Sequence, residues 1–285
     1  MKKIVYIDCP SGIAGDMTVG AMLHVGVPLE YLEAELSKLK VDGFKLSLNM
    51  GQKNGITGFK FDVLLPSGEK VDEVHGCNFV EGHHGHSHSH DHDQGHEHSH
   101  DHDQGHGHHH GPGEHHHRNL TDIEGLINES DLSDRVKEIS KAIFMEVAKA
   151  EGKIHDKPLT EVHFHEVGAL DSIVDAVGAA ICIDYLNPDE IVISPIHTGT
   201  GLVRCAHGKI PVPAPATLEI LTGVPVYSTG VRSELVTPTG AAIAKVLADF
   251  FGPMPAMEIE KVGYGLGTKD LPQANVLRVV IGRKG

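Results

Sequence analysis

Residues 162–175 read VHFHEVGALDSIVD, and the rest of the chain is organised around them. In an extended segment successive side chains alternate faces, so His163 and His165 would point the same way. A helix that starts near Asp171 would place Asp171 and Asp175 on one face, four residues apart. The sequence therefore predicts a strand-to-helix corner lined with nitrogen and oxygen ligands. Such a set suits transition metals and leaves coordination positions open.

The same residues also allow a purely structural interpretation. Asp171 would be a helix N-cap, Asp175 would lie on the solvated first turn, and the histidines would be strand surface residues. After Asp175 the segment is apolar on all sides, which predicts a buried helix from about Asp171 to Tyr185. A polar first turn at the end of a rigid, buried helix is the support that a functional site requires.

The composition indicates a globular protein and excludes nucleic-acid binding through a broad basic face. The chain has 285 residues, of which 40% are hydrophobic, enough for one large core or two smaller ones. Its net charge is −15, and outside residues 83–117 the remaining 33 acidic and 24 basic residues still give −9. That balance argues against a nucleic-acid partner. Aromatic residues make up only 5%, so base-stacking surfaces are also scarce.

The termini and cysteines favour the cytoplasm. No run of about 18 apolar residues is present, so we expect no membrane span. The apolar stretch after Lys3 reaches the charged Asp8 too soon to be a signal peptide. The four cysteines form no C-x-x-C pair, which argues against a disulfide framework and against a thiolate zinc site.

A histidine tract interrupts the chain from residue 82 to residue 117. It holds 17 of the 24 histidines among Gly, Ser, Asp and Gln, a composition from which no core forms. A nine-residue unit that starts at His88 recurs from His98, which indicates tandem duplication. Flexible imidazoles bind Ni²⁺ and Zn²⁺ readily, so we predict that this tract collects metal. Its predicted ligands are His83, His84, His86, His88, His90, His92, His96, His98, His100, His102, His106, His108, His109, His110, His115, His116 and His117.

The remaining sequence predicts the mixed α/β (α+β) class, with a mixed sheet flanked by helices and a disordered histidine-rich loop inside the chain. We expect an N-terminal α/β part at residues 1–81, the tract at 82–118, and a second α/β part at 119–285 that completes the same core. Asn54-Gly55 between two alternating segments predicts a hairpin. The pattern after Glu234 predicts a helix through about Phe251, and residues 263–270 read as a glycine loop.

Two further segments allow either ligand binding or plain structure. Residues 8–16 follow a strand and precede a helix, so Gly12 and Gly15 would expose backbone N–H groups to an anion, while Asp8 and Asp16 would offer carboxylates to Mg²⁺. An ordinary strand-to-helix turn is the alternative.

The second of these segments is TPTGAA at residues 237–242. Here Thr237 and Thr239 would offer hydroxyls and N–H groups to a phosphate or carboxylate. The alternative is that Thr237 is an N-cap with a neighbouring proline. In the irregular region that begins at Pro195, His197, Cys205 and His207 add possible metal ligands.

Four separated motifs resemble the LarC family of nickel-insertion proteins. They occur in the right order around an internal histidine tract, and the match covers nearly the whole chain. The motifs are DCPSGIAGDM at residues 8–17, HFHEVGALDSIVD at 163–175, HG at 207–208 with PVPAPAT at 211–217, and TPTGAA at 237–242.

The resemblance implies a nickel chelatase of the lyase class. That family inserts nickel into pyridinium-3,5-bisthiocarboxylic acid mononucleotide to give the nickel-pincer nucleotide cofactor of lactate racemase, with CTP consumed. It implies Ni²⁺ and CTP with Mg²⁺ or Mn²⁺ as cofactors, the thiolated nucleotide as substrate and the lactate racemase apoprotein as recipient. Family members commonly continue into a C-terminal domain to which nucleotide binding is attributed, whereas this chain stops at Gly285. A separately encoded part would then supply the CTP chemistry. The resemblance does not decide whether the chain forms a homo-oligomer.

Under this interpretation His163, His165, Asp171 and Asp175 would hold nickel in an incomplete site. Insertion at a ring carbon also requires loss of a proton, for which Glu166 or His207 is the expected base. Two alternatives come from other classes: a passive nickel-storage protein or metallochaperone, which needs only the tract, and a metal-dependent hydrolase. The dense His-Asp pattern of the common binuclear hydrolases is missing.

Overall fold

The computed structural model describes residues 1–70, 78–79, 118–162, 164, 170–205 and 208–285. In these residues the α-helices are α1 (Gly15–His24), α2 (Leu29–Leu36), α3 (Leu120–Asn128), α4 (Asp134–His155), α5 (Leu170–Leu186), α6 (Pro215–Ile220) and α7 (Pro238–Leu247). The strands are β1 (Lys2–Asp8), β2 (Lys45–Lys53), β3 (Ile56–Leu64), β4 (Asn78–Phe79), β5 (Glu190–Ile193), β6 (Ile196–His197), β7 (Gly199–Thr200), β8 (Leu202–Cys205), β9 (Gly208–Pro211), β10 (Val226–Tyr227), β11 (Ser233–Glu234), β12 (Phe250–Phe251), β13 (Glu258–Leu266) and β14 (Val276–Lys284).

Seven of these strands form one mixed sheet in the order β12-β5-β1-β14-β13-β3-β2. Strand β1 pairs parallel to β5 and antiparallel to β14, and β13 pairs antiparallel to β14. Strands that precede the histidine tract in the sequence and strands that follow it are therefore neighbours within the same sheet. The predicted mixed α/β class is confirmed, while the tract itself lies outside the described residues.

The Asn-Gly hairpin forms as predicted. Lys53 pairs with Ile56 across a two-residue loop, and Asn54 and Gly55 have φ angles of 49° and 80°. Positive φ at both loop residues is the type I′ geometry that matches the twist of the flanking strands. The turn therefore fixes the register of β2 and β3 locally.

One face of the sheet carries the large core. Val5 and Ile7 of β1 point into this core, and each of the seven described helices contributes buried apolar residues to it. The alternate residues Ile4 and Tyr6 point to the other face, where they form a small cluster with Val192 and Val280. Period-two alternation along β1 thus separates the two faces.

Two predictions about the last third of the chain were wrong. Gly265 lies inside β13 and not in a glycine loop, and a Cβ there would be 1.8 Å from the carbonyl oxygen of Met17. The close backbone approach is therefore made by helix α1 lying on the sheet. The helix predicted to run through Phe251 ends at Leu247, because the next residues pair with the edge of β5 and form β12.

None of the helices in the described ranges has both the length and the apolar character needed to span a membrane. This holds for α5, whose residues are the most uniformly apolar. Its 17 residues also fall short of a bilayer-spanning length of about 20. The apolar surface of α5 is instead buried by protein, as the sequence predicted.

Candidate metal centre

The first two turns of α5 carry the two aspartates that the sequence singled out. The helix begins at Leu170, so Asp171 lies within its first turn and Asp175 follows one turn later on the same face. Both side chains are half-buried, and the Oδ1 atom of each has no contact with solvent. From Ala176 to Ile183 every residue is buried, which makes α5 a fixed support for this carboxylate pair.

Asp175 lies directly against Gly15, the first residue of α1. A Cβ on Gly15 would be 2.5 Å from both the Cβ and the Oδ2 atom of Asp175, so only glycine permits this approach. The N-terminus of a helix carries a partial positive charge, which stabilises a nearby carboxylate. The contact brings the turn at residues 8–16 and the start of α5 to one place, although about 160 residues separate them in the chain.

The turn at residues 8–16 is clamped to the segment before α7. Ile13 N donates to the Leu235 carbonyl at 3.0 Å, and Thr237 N donates back to the Ile13 carbonyl at 3.2 Å. A Cβ on Gly12 would be 1.9 Å from the same Leu235 oxygen. Protein atoms therefore fill the space beside Gly12 and Gly15, and the cofactor-binding role of these two glycines stays a prediction.

Thr237 is the N-cap of α7. Its Oγ1 atom accepts a hydrogen bond from Gly240 N at 3.1 Å, and Pro238 occupies the first helical position. This is the arrangement that the structural alternative predicted. Thr239 is buried, with 5% of its surface exposed. A phosphate-binding role for these threonines also stays a prediction.

Asp8 and Asp16 are each neutralised by a cation of the protein. Asp8 forms an ion pair with Arg278, its cross-strand partner on β14. Asp16 lies 2.6 Å from Lys60 Nζ, which also contacts Asp62 at 2.8 Å. Burial would lower the pKa of Lys60, but the charges and hydrogen bonds of Asp16 and Asp62 outweigh burial and raise it. A Mg²⁺ ion at either aspartate would have to displace these partners.

His197 is a structural histidine. It is 1% exposed, its Nδ1 atom lies 3.1 Å from the Pro10 carbonyl, and its Nε2 atom accepts from Thr229 N at 3.0 Å. Since the backbone N–H must donate to Nε2, the proton sits on Nδ1 and the ring is neutral. Both nitrogens are occupied, so His197 does not serve as the metal ligand that its position in the sequence suggested.

Several predicted site residues lie outside the described residues, namely His163, His165, Glu166, His207 and the histidines of the tract. The residues beside them are described: Val162 and Phe164 are 2% and 1% exposed, and the Phe164 ring packs against Phe144. Among the described residues no three His, Cys, Asp or Glu side chains come together as a metal-binding group. A nickel site at Asp171 and Asp175 would therefore need ligands from outside the described residues, and the histidine motif stays the prediction for them.

The described residues that flank the tract in the sequence pair with two other segments. After the tract, the Arg118 carbonyl accepts a hydrogen bond from Phe164 N at 3.4 Å. Before the tract, β4 pairs antiparallel with β8. Phe164 and the end of β8 each adjoin predicted site residues in the sequence.

Sequence reasoning missed Arg278. It is the partner of Asp8 and the one charged residue among the first seven of β14, VLRVVIG. A lone arginine in an apolar strand is unusual because a buried charge needs a partner, and that signal was available in the sequence. The position of Arg278 opposite Asp8 depends on the pairing of the two strands, which could not be predicted from the sequence.

Comparison with known proteins identifies the family. The chain matches the model of the family described as nickel insertion protein over residues 5–285. The chain belongs to this family. It is 47% identical over 283 residues to the pyridinium-3,5-bisthiocarboxylic acid mononucleotide nickel insertion protein of Geobacillus kaustophilus, covering 99% of this chain and 60% of that protein. The resemblance drawn from the four motifs is confirmed.

Other members of the nickel insertion family show the same relation. A protein of the same name from Clostridium acetobutylicum is 50% identical over 99% of this chain and 64% of its own length. A putative nickel insertion protein from Synechocystis is 44% identical over 99% of this chain and 58% of its own. The chain therefore spans about 60% of the length of the first curated relatives it matches. No solved structure matches it.

Proposed function

We propose that this chain inserts nickel into pyridinium-3,5-bisthiocarboxylic acid mononucleotide to give the nickel-pincer nucleotide. The observation that carries the proposal is the identity of 47% to 50%, over 99% of the chain, with relatives named for nickel insertion into that mononucleotide. We propose that the reaction takes place at the carboxylate pair at the start of α5. On this reading the protein is an enzyme of the chelatase type, and Ni²⁺ is its cargo.

His163, His165, Asp171 and Asp175 are the proposed nickel ligands. Val162 and Phe164 are buried on either side of His163. Because successive side chains of an extended segment alternate, the two histidines would point away from those buried residues and toward a common side. Imidazole and carboxylate ligands bind divalent nickel without closing its coordination sphere. The sulfurs and a ring carbon of the substrate would then replace protein ligands one at a time.

Nickel insertion at carbon exchanges a proton for a metal ion. The ring C–H bond breaks, its electron pair forms the nickel–carbon bond, and the proton passes to a base. Glu166 and His207 are the proposed bases, since Glu166 follows the proposed ligand His165 and His207 lies just after β8 in the sequence. The two residues are separable by mutation, because only loss of the true base should slow the step that breaks the ring C–H bond, which a substrate deuterated at that carbon reports.

The histidine tract at residues 82–118 is proposed to collect Ni²⁺ for this site. The described residues that flank the tract support this proposal, because Arg118 bonds to Phe164 on one side and β4 pairs with β8 on the other. A tethered ligand raises the local concentration of what it carries, to about the millimolar range for a short flexible linker. In this proposal, residues 1–81 and 119–285 together form the α/β part of the protein, and the tract supplies that part with Ni²⁺.

The remaining parts of the reaction are proposals that follow from the family. CTP with Mg²⁺ or Mn²⁺ would drive insertion, and the lactate racemase apoprotein would receive the product. We place the reaction in the cytoplasm, where the buried thiols of Cys9 and Cys182 would stay reduced. A separately encoded part and a homo-oligomer are compatible with the same chemistry.

The proposal is tested by supplying purified protein with Ni²⁺, CTP, Mg²⁺ and the thiolated mononucleotide. A new nickel–sulfur absorption band is expected. His163→Ala with His165→Ala, and Asp171→Asn with Asp175→Asn, should each eliminate the band. Asp134→Asn is the matched control, since Asp134 is also a first-turn aspartate but lies exposed on α4. Unchanged product formation by both double variants would remove the α5 corner from the site.

A deletion distinguishes insertion from passive storage. Removal of residues 83–117 should lower the number of nickel ions bound, while insertion at saturating Ni²⁺ is retained. If the intact protein, assayed together with the separately encoded part that would supply the CTP chemistry, binds nickel but forms no product from the thiolated mononucleotide, storage alone is the function. If the deletion abolishes turnover even in excess nickel, the tract is part of the catalytic site and not a reservoir.

A further inference from the structure

A polar row crosses the sheet on the face away from the helices. Asp8 on β1 lies opposite Arg278 on β14, which in turn lies opposite Tyr264 on β13. Arg278 forms an ion pair with Asp8 and a hydrogen bond with Tyr264. The neighbouring row on the same face is apolar and includes Tyr6 and Val280. The guanidinium is thus a cation held by its ion pair, with the apolar row of Tyr6 and Val280 beside it.

Arg278 keeps donor capacity beyond these two partners. Its side chain is 41% exposed, whereas that of Asp8 is 18% exposed. A guanidinium has five N–H groups, and its Nε–H is buried without an acceptor among the described residues. A planar cation held on one side and open to solvent on the other suits a phosphate, which binds two parallel N–H groups.

Tyr227 supplies an aromatic surface beside this row. Burial raises the pKa of Tyr227, and the negative charge of Asp8 raises it further. One face of the ring stacks on His197, with centroids 4.8 Å apart and planes inclined by 14°. The side chain remains 42% exposed. A ring fixed on one face and exposed elsewhere is a ready surface for a second aromatic ring.

The support for this surface is rigid. Gln273 Nε2 donates to Ser11 Oγ at 2.9 Å and to the Pro10 carbonyl at 3.2 Å, the same carbonyl that His197 contacts. The turn at residues 8–16 therefore joins Tyr227 to the polar row at Asp8. Its far end is Gly15, which contacts Asp175.

We propose that Arg278 and Tyr227 form the subsite for the mononucleotide, with Arg278 binding the phosphate and Tyr227 stacking on the pyridinium ring. This inference rests on the proposed function and assigns residues to its substrate. A pyridinium ring is a cation, and cations are attracted to aromatic faces. Asp8 orients the guanidinium through their ion pair. The turn at residues 8–16 then links the bound nucleotide to the carboxylate pair of α5.

The test uses nicotinamide mononucleotide, a pyridinium mononucleotide, with the full chain and without Ni²⁺ or CTP. Calorimetric titration of the wild type should show binding. Arg278→Gln should weaken it about 10- to 100-fold, the worth of charge-assisted hydrogen bonds. Arg278→Lys keeps the charge beside Asp8 and should weaken it less. Arg283→Gln is the matched control, an arginine on the same strand paired with Glu260 at 2.7 Å, and should bind normally.

The role of Tyr227 is tested with probes whose rings differ in charge. Tyr227→Leu should weaken binding of the pyridinium mononucleotide several-fold, and Tyr227→Phe should restore it, because the aromatic face is kept. Tyr185→Leu is the control, since Tyr185 is 43% exposed and its ring packs against that of another tyrosine, Tyr31. The reduced mononucleotide, whose ring is neutral, should bind the wild type more weakly and be insensitive to Tyr227→Leu.

Two results would overturn the subsite. One is no binding of nicotinamide mononucleotide to the wild type at millimolar concentration. The other is an Arg278→Gln effect that persists with nicotinamide riboside, which lacks the phosphate, because a general structural defect would weaken both probes equally. Neither result depends on nickel insertion. Failure here with an intact insertion reaction would place the mononucleotide elsewhere, whereas binding without insertion would refute the proposed function instead.

Discussion

Replacing Gly15 by alanine tests whether the contact between α1 and α5 positions a nickel ligand. Carbon atoms in contact lie about 3.5–4.0 Å apart. A Cβ on residue 15 would lie 2.5 Å from the Cβ of Asp175, an atom next to the backbone that rotation of the side chain cannot move away. One of the two helices must therefore shift by about 1 Å. The shift displaces the carboxylate of Asp175 from its present place.

The expected magnitudes follow from this displacement. Overpacking of this kind costs about 1–3 kcal/mol, which corresponds to a fall in melting temperature of about 2–12 °C for a chain of this size. A misplacement of about 1 Å at a reacting site costs about 100-fold in rate. We expect Gly15→Ala to fold, to melt at a lower temperature by circular dichroism, and to insert nickel about 100-fold more slowly at saturating Ni²⁺.

A second glycine provides the control. Gly125 lies in α3, and a Cβ there would meet no atom within 4 Å. Gly125→Ala should therefore be neutral or more stable by up to about 1 kcal/mol, from helix propensity alone, with an unchanged insertion rate. If Gly15→Ala loses stability but inserts nickel at the wild-type rate below its melting temperature, the contact is structural and Asp175 is not a ligand. An unchanged melting temperature would refute the contact itself.

Three further predictions concern the fold and its charges. Gly265→Ala should lose about 3 kcal/mol in urea unfolding, the upper end for overpacking, because the Met17 carbonyl lies 1.8 Å from the new Cβ and backbone has little freedom to yield. Lys60→Met should lose about 3 kcal/mol at neutral pH, the low end for a broken buried ion pair, because Lys70 still contacts Asp62. Because the folded pKa of Lys60 is raised, the stabilisation of the fold by its charge is complete below about pH 10.4 and is lost as pH rises through the folded pKa. The unfolding free energy of the wild type should therefore fall more steeply above that pH than the unfolding free energy of the variant. Native protein should expose at most two of its four thiols to Ellman's reagent, because burial raises the pKa of the Cys9 and Cys182 thiols; reaction of all four before unfolding would contradict the described core.

Local patterns predicted much of the fold. The two-residue loop at Asn54 and Gly55 fixes the hairpin through its own φ angles, and the uniformly apolar stretch after Asp175 requires burial wherever it lies. Such features depend on neighbours in sequence. The end of α7 does not, since Phe250 and Phe251 pair with β5, about 60 residues earlier in the chain, and form the edge strand β12.

The candidate site was predictable only in part. The spacing of Asp171 and Asp175 placed both on one helix face, which the structure confirms. The contact of Gly15 with Asp175 could not be predicted, because a glycine in a turn gives no sign of which distant side chain fills the space beside it. His197 was also misjudged, since a buried neutral histidine and a metal ligand have the same appearance in sequence until both ring nitrogens find their partners.

The pairing of β1 with β14 has a consequence for biosynthesis. Strand β1 is made about 270 residues before β14, one of its two sheet neighbours. At about 5–20 residues per second, the interval is roughly 15–55 s. During that time the apolar segment from Ile4 to Ile7 lacks at least half of its final pairing. The nascent chain therefore remains a substrate for chaperones until β14 has been made, and the sheet closes only then.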